Sequence, residues 1–280
     1  MRCPLPLLQD IVYGPVAANR LGASLGVNLL PANLRVCNLN CGYCHFSPTR
    51  WRDQEPIALG GWPSSGEIAA AVARRLDALA AAGRQVERIT LTGHGEPTLH
   101  PDFEEAVDGL VRLRDRRYPG VSLAIFSNST TAEWPAVRSG LQRLDERYMK
   151  LDAGSDEMLH RLNGASTPVS RLIEGLRCVG DVILQGMFVH DVFGEIDNTR
   201  EEEVAAWIGA LSAVRPAHVH VGTVDAVPRS SRLQPVPLLR LMEIAERVNA
   251  AGFSVELFAS SPATGYPYSY REPHAGPGHA

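Results

Sequence analysis

With 280 residues, 45% of them hydrophobic and 21% charged, the chain is long enough to bury a sizeable core as one α/β domain. A net charge of −4 and a pI near 6.1 exclude a global electrostatic bias toward nucleic acid or an anionic membrane, leaving only a local basic patch open. The start Met1-Arg2-Cys3-Pro4-Leu5-Pro6 is too broken by proline for a signal peptide and no apolar run approaches ~18 residues, so a cytoplasmic location without membrane contact is expected.

In chain order, short β-branched runs alternate with longer amphipathic stretches, the pattern of repeated βα units around a parallel sheet. Residues 1–24 read as an N-terminal extension and 25–30 as the first strand. Ser64-Ser65-Gly66-Glu67 opens an Ala-rich helix with a capping box, and Gly83 sits where it stops. Strand 88–92 follows, then a helix from Pro101, strand 122–126 and strand 148–151. A helix opening at Thr167-Pro168 leads to strand 182–188. Asn198-Thr199-Arg200-Glu201 opens the next helix before strand 218–222, and Pro237 opens the last before strand 254–258. Six or seven units result. They predict a single-domain partial (β/α)6 TIM-type barrel over 25–259, with a doubly wound open sheet as the alternative of similar pattern. The stretch 260–280, rich in Pro, Gly, Ser, Tyr and His, reads as a flexible tail or, alternatively, a lid.

The five cysteines are an odd number, and three fall within eight residues while Cys3 and Cys178 stand alone. That distribution speaks for a metal site rather than a disulfide framework. Cys37, Cys41 and Cys44, spaced C-x3-C-x2-C on the loop after the first strand, can each ligate one iron of a [4Fe–4S] cube and leave the fourth iron open. Gly42 lets the backbone turn tightly, and Tyr43 can shield a cluster. Structural zinc prefers two separated ligand pairs, and an electron-carrier cluster wants four cysteines. Cys178, in an apolar helix, is expected to be a buried structural thiol. Cys3 reads as incidental.

The cysteine motif, with an aromatic before its last member, resembles the signature of the radical S-adenosylmethionine (SAM) superfamily. Thr92-Gly93-His94-Gly95-Glu96-Pro97, just past a strand, resembles that superfamily's "GGEP" segment. Tyr13-Gly14-Pro15-Val16 with Asn19 to Asn28, and Met149-Lys150-Leu151-Asp152-Ala153, resemble the subgroup that includes wyosine-base synthases. The resemblance implies a [4Fe–4S] cluster and SAM as cofactors, with the backbone of Gly93, His94, Gly95 and Glu96 meeting the methionine amino group. It implies cofactor contacts for Ser127, Asn128, Lys150, Asp152 and Gln185, and an electron donor such as flavodoxin or ferredoxin. In a parallel barrel ligands bind at the C-terminal ends of strands, and these segments fall there.

A radical SAM enzyme would cleave SAM reductively and let the 5′-deoxyadenosyl radical take hydrogen from a substrate. The further cysteines and basic surface expected of a tRNA-modifying member are absent from the sequence, since the run Arg112, Arg114, Arg116 and Arg117 reads as a solvated helix end complementing the dipole. A small-molecule or protein substrate is therefore expected, with tRNA modification as the alternative and a non-catalytic iron–sulfur or metal-binding protein as the alternative of another class. His218 and His220 alternate on one strand and face one side, with Asp225 and Arg229 beyond. Together with Lys150 they are the candidate catalytic side chains, and His45 and His190-Asp191 are lesser ones.

Overall fold

The computed structural model describes residues 5–18, 22–49, 60–224, 232–260 and 267–271. Strands β1 (Val12–Ala18), β2 (Gly22–Val27), β3 (Arg88–Leu91), β4 (Ser122–Ser127), β5 (Glu146–Lys150), β6 (Ile183–Asp191), β7 (His218–Thr223), β8 (Leu233–Pro235), β9 (Val255–Ser260) and β10 (Pro267–Arg271) belong to one assembly. Seven helices accompany them among the described residues: α1 (Ser65–Ala81), α2 (Phe103–Arg117), α3 (Pro135–Gln142), α4 (Asp156–Asn163), α5 (Val169–Val179), α6 (Glu201–Val214) and α7 (Leu238–Ala250).

The sheet runs β1-β2-β3-β4-β5-β6-β7-β9-β10, with β8 pairing β6 off this path. β2 to β7 and β9 are parallel to their neighbours, while β1 and β10 are antiparallel flaps on either edge. Parallel strands that follow one another in sequence order wind in one direction; a doubly wound sheet would reverse its order at a switch point. The architecture is therefore the partial barrel, and its sheet does not close.

Each parallel strand is buried on both faces, and the faces differ. Leu25, Val27, Ile89, Leu91, Leu123, Ile125, Met149, Leu151, Leu184, Val219, Val221 and Leu257 join the helices in one continuous apolar core. The alternate residues, with period two, line the inner face and are largely polar or aromatic. There Ser24 and Thr90 share a hydroxyl hydrogen bond of 2.7 Å, Phe126 stacks on Tyr148 at 4.9 Å, and His220 packs between Tyr148 and Phe258.

Local signals placed most boundaries. Ser64 and Glu67 form the reciprocal capping box of α1, Gly83 takes φ +68° just past its end, and Pro168 precedes α5 as its N-cap. Four observations depart from the sequence reading. The first parallel strand begins and ends three residues earlier than 25–30. The N-terminal extension carries β1, and the backbone of 267–271 forms β10. Helices α3 and α4 went unread between strands. Cys178 is exposed rather than buried: the apolar stripe of α5 is Leu172, Leu176 and Val179, and Cys178 falls beside Arg177 on the opposite side. The basic run ends α2 as expected, with Arg114 on Asp145 at 2.6 Å and Arg117 on Asp77 at 2.7 Å.

Candidate functional site

The cysteine loop leaves β2 through Asn28, whose side chain bonds both backbone groups of Leu30, and runs across the C-terminal ends of the strands. Two contacts hold it. Glu96 N–H donates to the carbonyl of Val36 at 2.9 Å, and the end of α4 accepts from Asn40 N (to Asn163 O, 2.8 Å) and Gly42 N (to Leu162 O, 2.9 Å). A Cβ on Gly95 would lie 2.0 Å from the Val36 carbonyl oxygen. Glycine is required here because the Gly93–Pro97 loop and the cysteine loop approach backbone to backbone.

The three thiols sit at this junction, and each receives one side-chain N–H. Asn163 Nδ2 donates to Cys41 Sγ at 3.1 Å and Arg35 Nη2 to Cys44 Sγ at 3.3 Å. Asn128 Nδ2 makes a longer contact, 3.8 Å, to Cys37 Sγ. Burial, followed by the neighbouring Cys41 and Glu96, pushes the Cys37 thiol up to about 12; burial and the Asp152 carboxylate push Cys41 up as well. Cysteine ligates as thiolate, a form that burial disfavours at Cys37 and Cys41 until a bound cation offsets it.

Behind Cys41 lies a network that links four segments. Asp152, 3% exposed, accepts from Tyr43 OH, from Asn163 Nδ2 at 2.7 Å and from Met187 N at 2.9 Å. Lys150 Nζ stands 3.4 Å from Asp152 Oδ1 and 4.6 Å from the centre of the Tyr43 ring. The Tyr43 hydroxyl is held far above its ordinary range by burial and then by the Asp152 charge.

The other expected cofactor contacts divide. Glu96 is buried and spends one oxygen on its own loop and the other on the loop after β4: Oε1 accepts from Thr98 N (3.1 Å) and Oγ1 (2.6 Å), and Oε2 from Asn128 N at 2.6 Å. Burial raises its pKa despite these bonds. The His94 side chain is a strut. Its Nδ1 accepts from Leu8 N at 3.1 Å, so Nε2 carries the proton toward Pro31 O at 3.1 Å. Ser127 Oγ caps Ser129, a residue with φ +71°. Asn128 bridges Asn38 Oδ1 (2.8 Å) and Thr130. Gln185 is the register partner of Lys150, and its Nε2 lies 3.3 Å from His220 Nδ1, with the His218 ring against that of His220. Asp191 is spent on the turn amides of Phe193 and Glu195 and on Arg232, and the main-chain carbonyl of His45 accepts from Leu5. Cys3, Asn19, Arg20, Leu21, Asp225 and Arg229 lie outside the described residues.

Sequence reasoning missed Arg35 and Asn163. Arg35 stands two residues before Cys37, and its burial is invisible in the sequence. Asn163 ends a helix that was not read at all.

Residues 34–222 match the family described as the Radical SAM superfamily. The chain belongs to the radical SAM superfamily. The family's cofactors, a [4Fe–4S] cluster and SAM, are this enzyme's cofactors. The residues present fit that cluster: Arg35 is buried, and its Nε and Nη1 have no hydrogen-bond partner while Nη2 reaches Cys44, so spare donors surround an anionic group to come. A UPF0026 protein of Helicobacter pylori is 28% identical over 221 residues, covering 77% of this chain and 66% of its own length. A probable GTP 3′,8-cyclase of Methanothermobacter thermautotrophicus is 26% identical over 228 residues, covering 78% and 66%. The chain thus spans just under two thirds of the length of both relatives. Among solved structures, a radical SAM methyltransferase from Sphaerobacter thermophilus shares the fold with TM-score 0.60 at 16% identity, over 85% of this chain and 66% of that one. Archaeal TYW1 does so with TM-score 0.50 at 10% identity, over 90% and 80%. No helix among the described residues is long and apolar enough to cross a membrane.

Proposed function

We propose that this radical SAM enzyme holds its [4Fe–4S] cluster on Cys37, Cys41 and Cys44 and takes a hydrogen atom from a small-molecule or protein substrate seated on the inner face of the barrel. The observation that carries this reading is the donor set: three thiols from one loop, each met by an N–H from a different segment, beside a buried Arg35 with two donors unspent. Among the described residues the remaining cysteine, Cys178, is exposed on α5. It offers no fourth ligand, so one iron is left for SAM.

Bound there, the cluster and SAM supply the one-electron cleavage that yields the 5′-deoxyadenosyl radical, with the electron coming from a donor such as flavodoxin or ferredoxin. The chain positions these partners. The main chain of Gly93–Glu96 meets the methionine amino group, and the Glu96 side chain acts through the loop, which it ties to Asn128. Lys150, at the mouth of the inner face and already fixed over Tyr43, binds the SAM carboxylate; Asp152 orients Lys150 and Tyr43. Ser127 and Asn128 shape the loop after β4 and would contact SAM there, and Gln185 on the inner face would be a further contact. Tyr43 and the buried Asn163 would limit solvent at Cys41, which keeps the local dielectric low and strengthens the N–H···S contact there.

Anaerobic reconstitution tests the reading. About four irons per chain, a broad visible absorbance and, after reduction, formation of 5′-deoxyadenosine from SAM are expected. Cys37→Ala abolishes that product; a Cys37→Ala variant that still forms it overturns the proposal.

A further inference from the structure

The deep end of the inner face carries a second cluster of ligating groups, distinct from the cysteines. His218 and His220 lie two apart on β7, so both rings leave the same face. Glu256 on β9 is the register partner of His220. One ligand atom from each of the three lies within 4.8 Å of the other two. His220 Nε2 stands 3.7 Å from Glu256 Oε2, and His218 Nε2 4.0 Å from the same oxygen.

From this geometry we propose that His218, His220 and Glu256 bind one divalent transition-metal ion of the zinc class. With metal–ligand distances of about 2.0–2.2 Å, donors around a tetrahedral ion stand roughly 3.3–3.5 Å apart. The His–Glu separations of 3.7 and 4.0 Å lie a little above this, and the three ligand atoms as a set lie within 4.8 Å of one another, so closing on one ion takes χ rotations of the two imidazoles toward Glu256. Two imidazoles and one carboxylate match the ligand preference of such ions, and three protein ligands leave a position for water or a substrate oxygen.

The surroundings are built as a second shell requires. Gln185 stands at the register position beside His220, 3.3 Å from its Nδ1. The contacting atom is the amide Nε2; metal binding turns the amide over, so that its oxygen accepts from Nδ1–H and the ring ligates through its Nε2 in place of the pairing with Glu256. The rings of Tyr148 and Phe258, at 5.7 and 4.7 Å, hold the imidazole in place, and the Tyr148 hydroxyl is turned away onto Glu146. Glu256 is 7% exposed, and a buried carboxylate gains from a divalent ion what it loses in hydration. The alternative for the same three groups is a protonated imidazole–carboxylate cluster without metal.

Metal binding here does not rest on the reading of the cysteines, and the experiment separates the two. Tag-free enzyme with its iron–sulfur cluster loaded is stripped with a chelator, then titrated with Zn2+ and with Co2+. About one equivalent beyond the irons is expected, and the Co2+ form shows visible d–d bands of nitrogen and oxygen ligation without thiolate charge transfer. The Cys37→Ala/Cys41→Ala/Cys44→Ala variant keeps this equivalent. Glu256→Gln and the more exposed His218→Ala each lose it while the cluster absorbance and thermal midpoint are kept, and Gln185→Ala weakens it roughly tenfold. A wild type that takes up no more Zn2+ than Glu256→Gln, or Co2+ bands that vanish with the cysteines, overturns the proposal.

Discussion

Replacing Asn163 by Ala isolates one donor of the proposed cluster site. The Asn163 amide stands 3.1 Å from Cys41 Sγ and 2.7 Å from the buried Asp152 carboxylate, whereas its carbonyl, which holds the cysteine loop through Asn40 N, belongs to the main chain and survives the substitution. Loss of a buried bond to a charged carboxylate costs ~2 kcal/mol. For a domain of this size that lowers the thermal midpoint by roughly 3–4 °C. The N–H···S bond is stronger to the reduced cluster, which carries one more negative charge. A difference of ~1 kcal/mol between the two states corresponds to a potential lowered by ~40 mV. A redox titration of the reconstituted enzyme followed by electron paramagnetic resonance reads this directly. Asn163→Asp is worse in stability, because it sets a second carboxylate against Asp152. A potential that stays put in Asn163→Ala, with the thermal midpoint lowered as stated, refutes the role of this donor at Cys41.

Gly95→Ala places a methyl 2.0 Å from a backbone oxygen, so it costs about 3 kcal/mol or more, whereas Gly120→Ala, with nothing within 4 Å, stays within about 0.5 kcal/mol in urea unfolding. His100 is buried, and burial lowers its pKa from 6.5. Its folded form binds fewer protons than the unfolded chain, so its stability contribution is complete above about 6.5 and is lost as pH falls toward the lowered value, with a slope of at most ~1.4 kcal/mol per pH unit. Denaturation of the apo protein from pH 7 to 5 shows that slope, and His100→Gln reduces it. Lys150→Met, by removing the one cation beside Asp152 and Tyr43 among the described residues, raises the KM for SAM roughly 10–100-fold with the cluster absorbance unchanged; an unchanged KM refutes the assigned contact.

What the chain reveals without its fold is whatever depends on neighbours in sequence. The C-x3-C-x2-C spacing, the capping box at Ser64, the glycine pair around His94 and the period-two strands are local patterns, and local geometry decides them. All seven parallel strands were legible for that reason, the first with its bounds displaced by three residues. Partner choice is a different kind of information. Nothing near Cys41 in sequence points to Asn163, 122 residues away, and nothing near His220 points to Glu256; folding alone brings them to one register. The Glu96 carboxylate, readable as a ligand for an ammonium, is spent within the protein because Thr98 of its own loop and Asn128 of the loop after β4 reach it. Cys178 looked buried because its neighbours are apolar, yet helical phase, set by which stripe meets the sheet, turns it outward. Sequence thus determined the family, the spacing of the three cysteines and the barrel; tertiary structure decided which donors meet each thiol and what lies across the inner face, since hydrogen bonding and burial act over ångströms of space rather than along the chain.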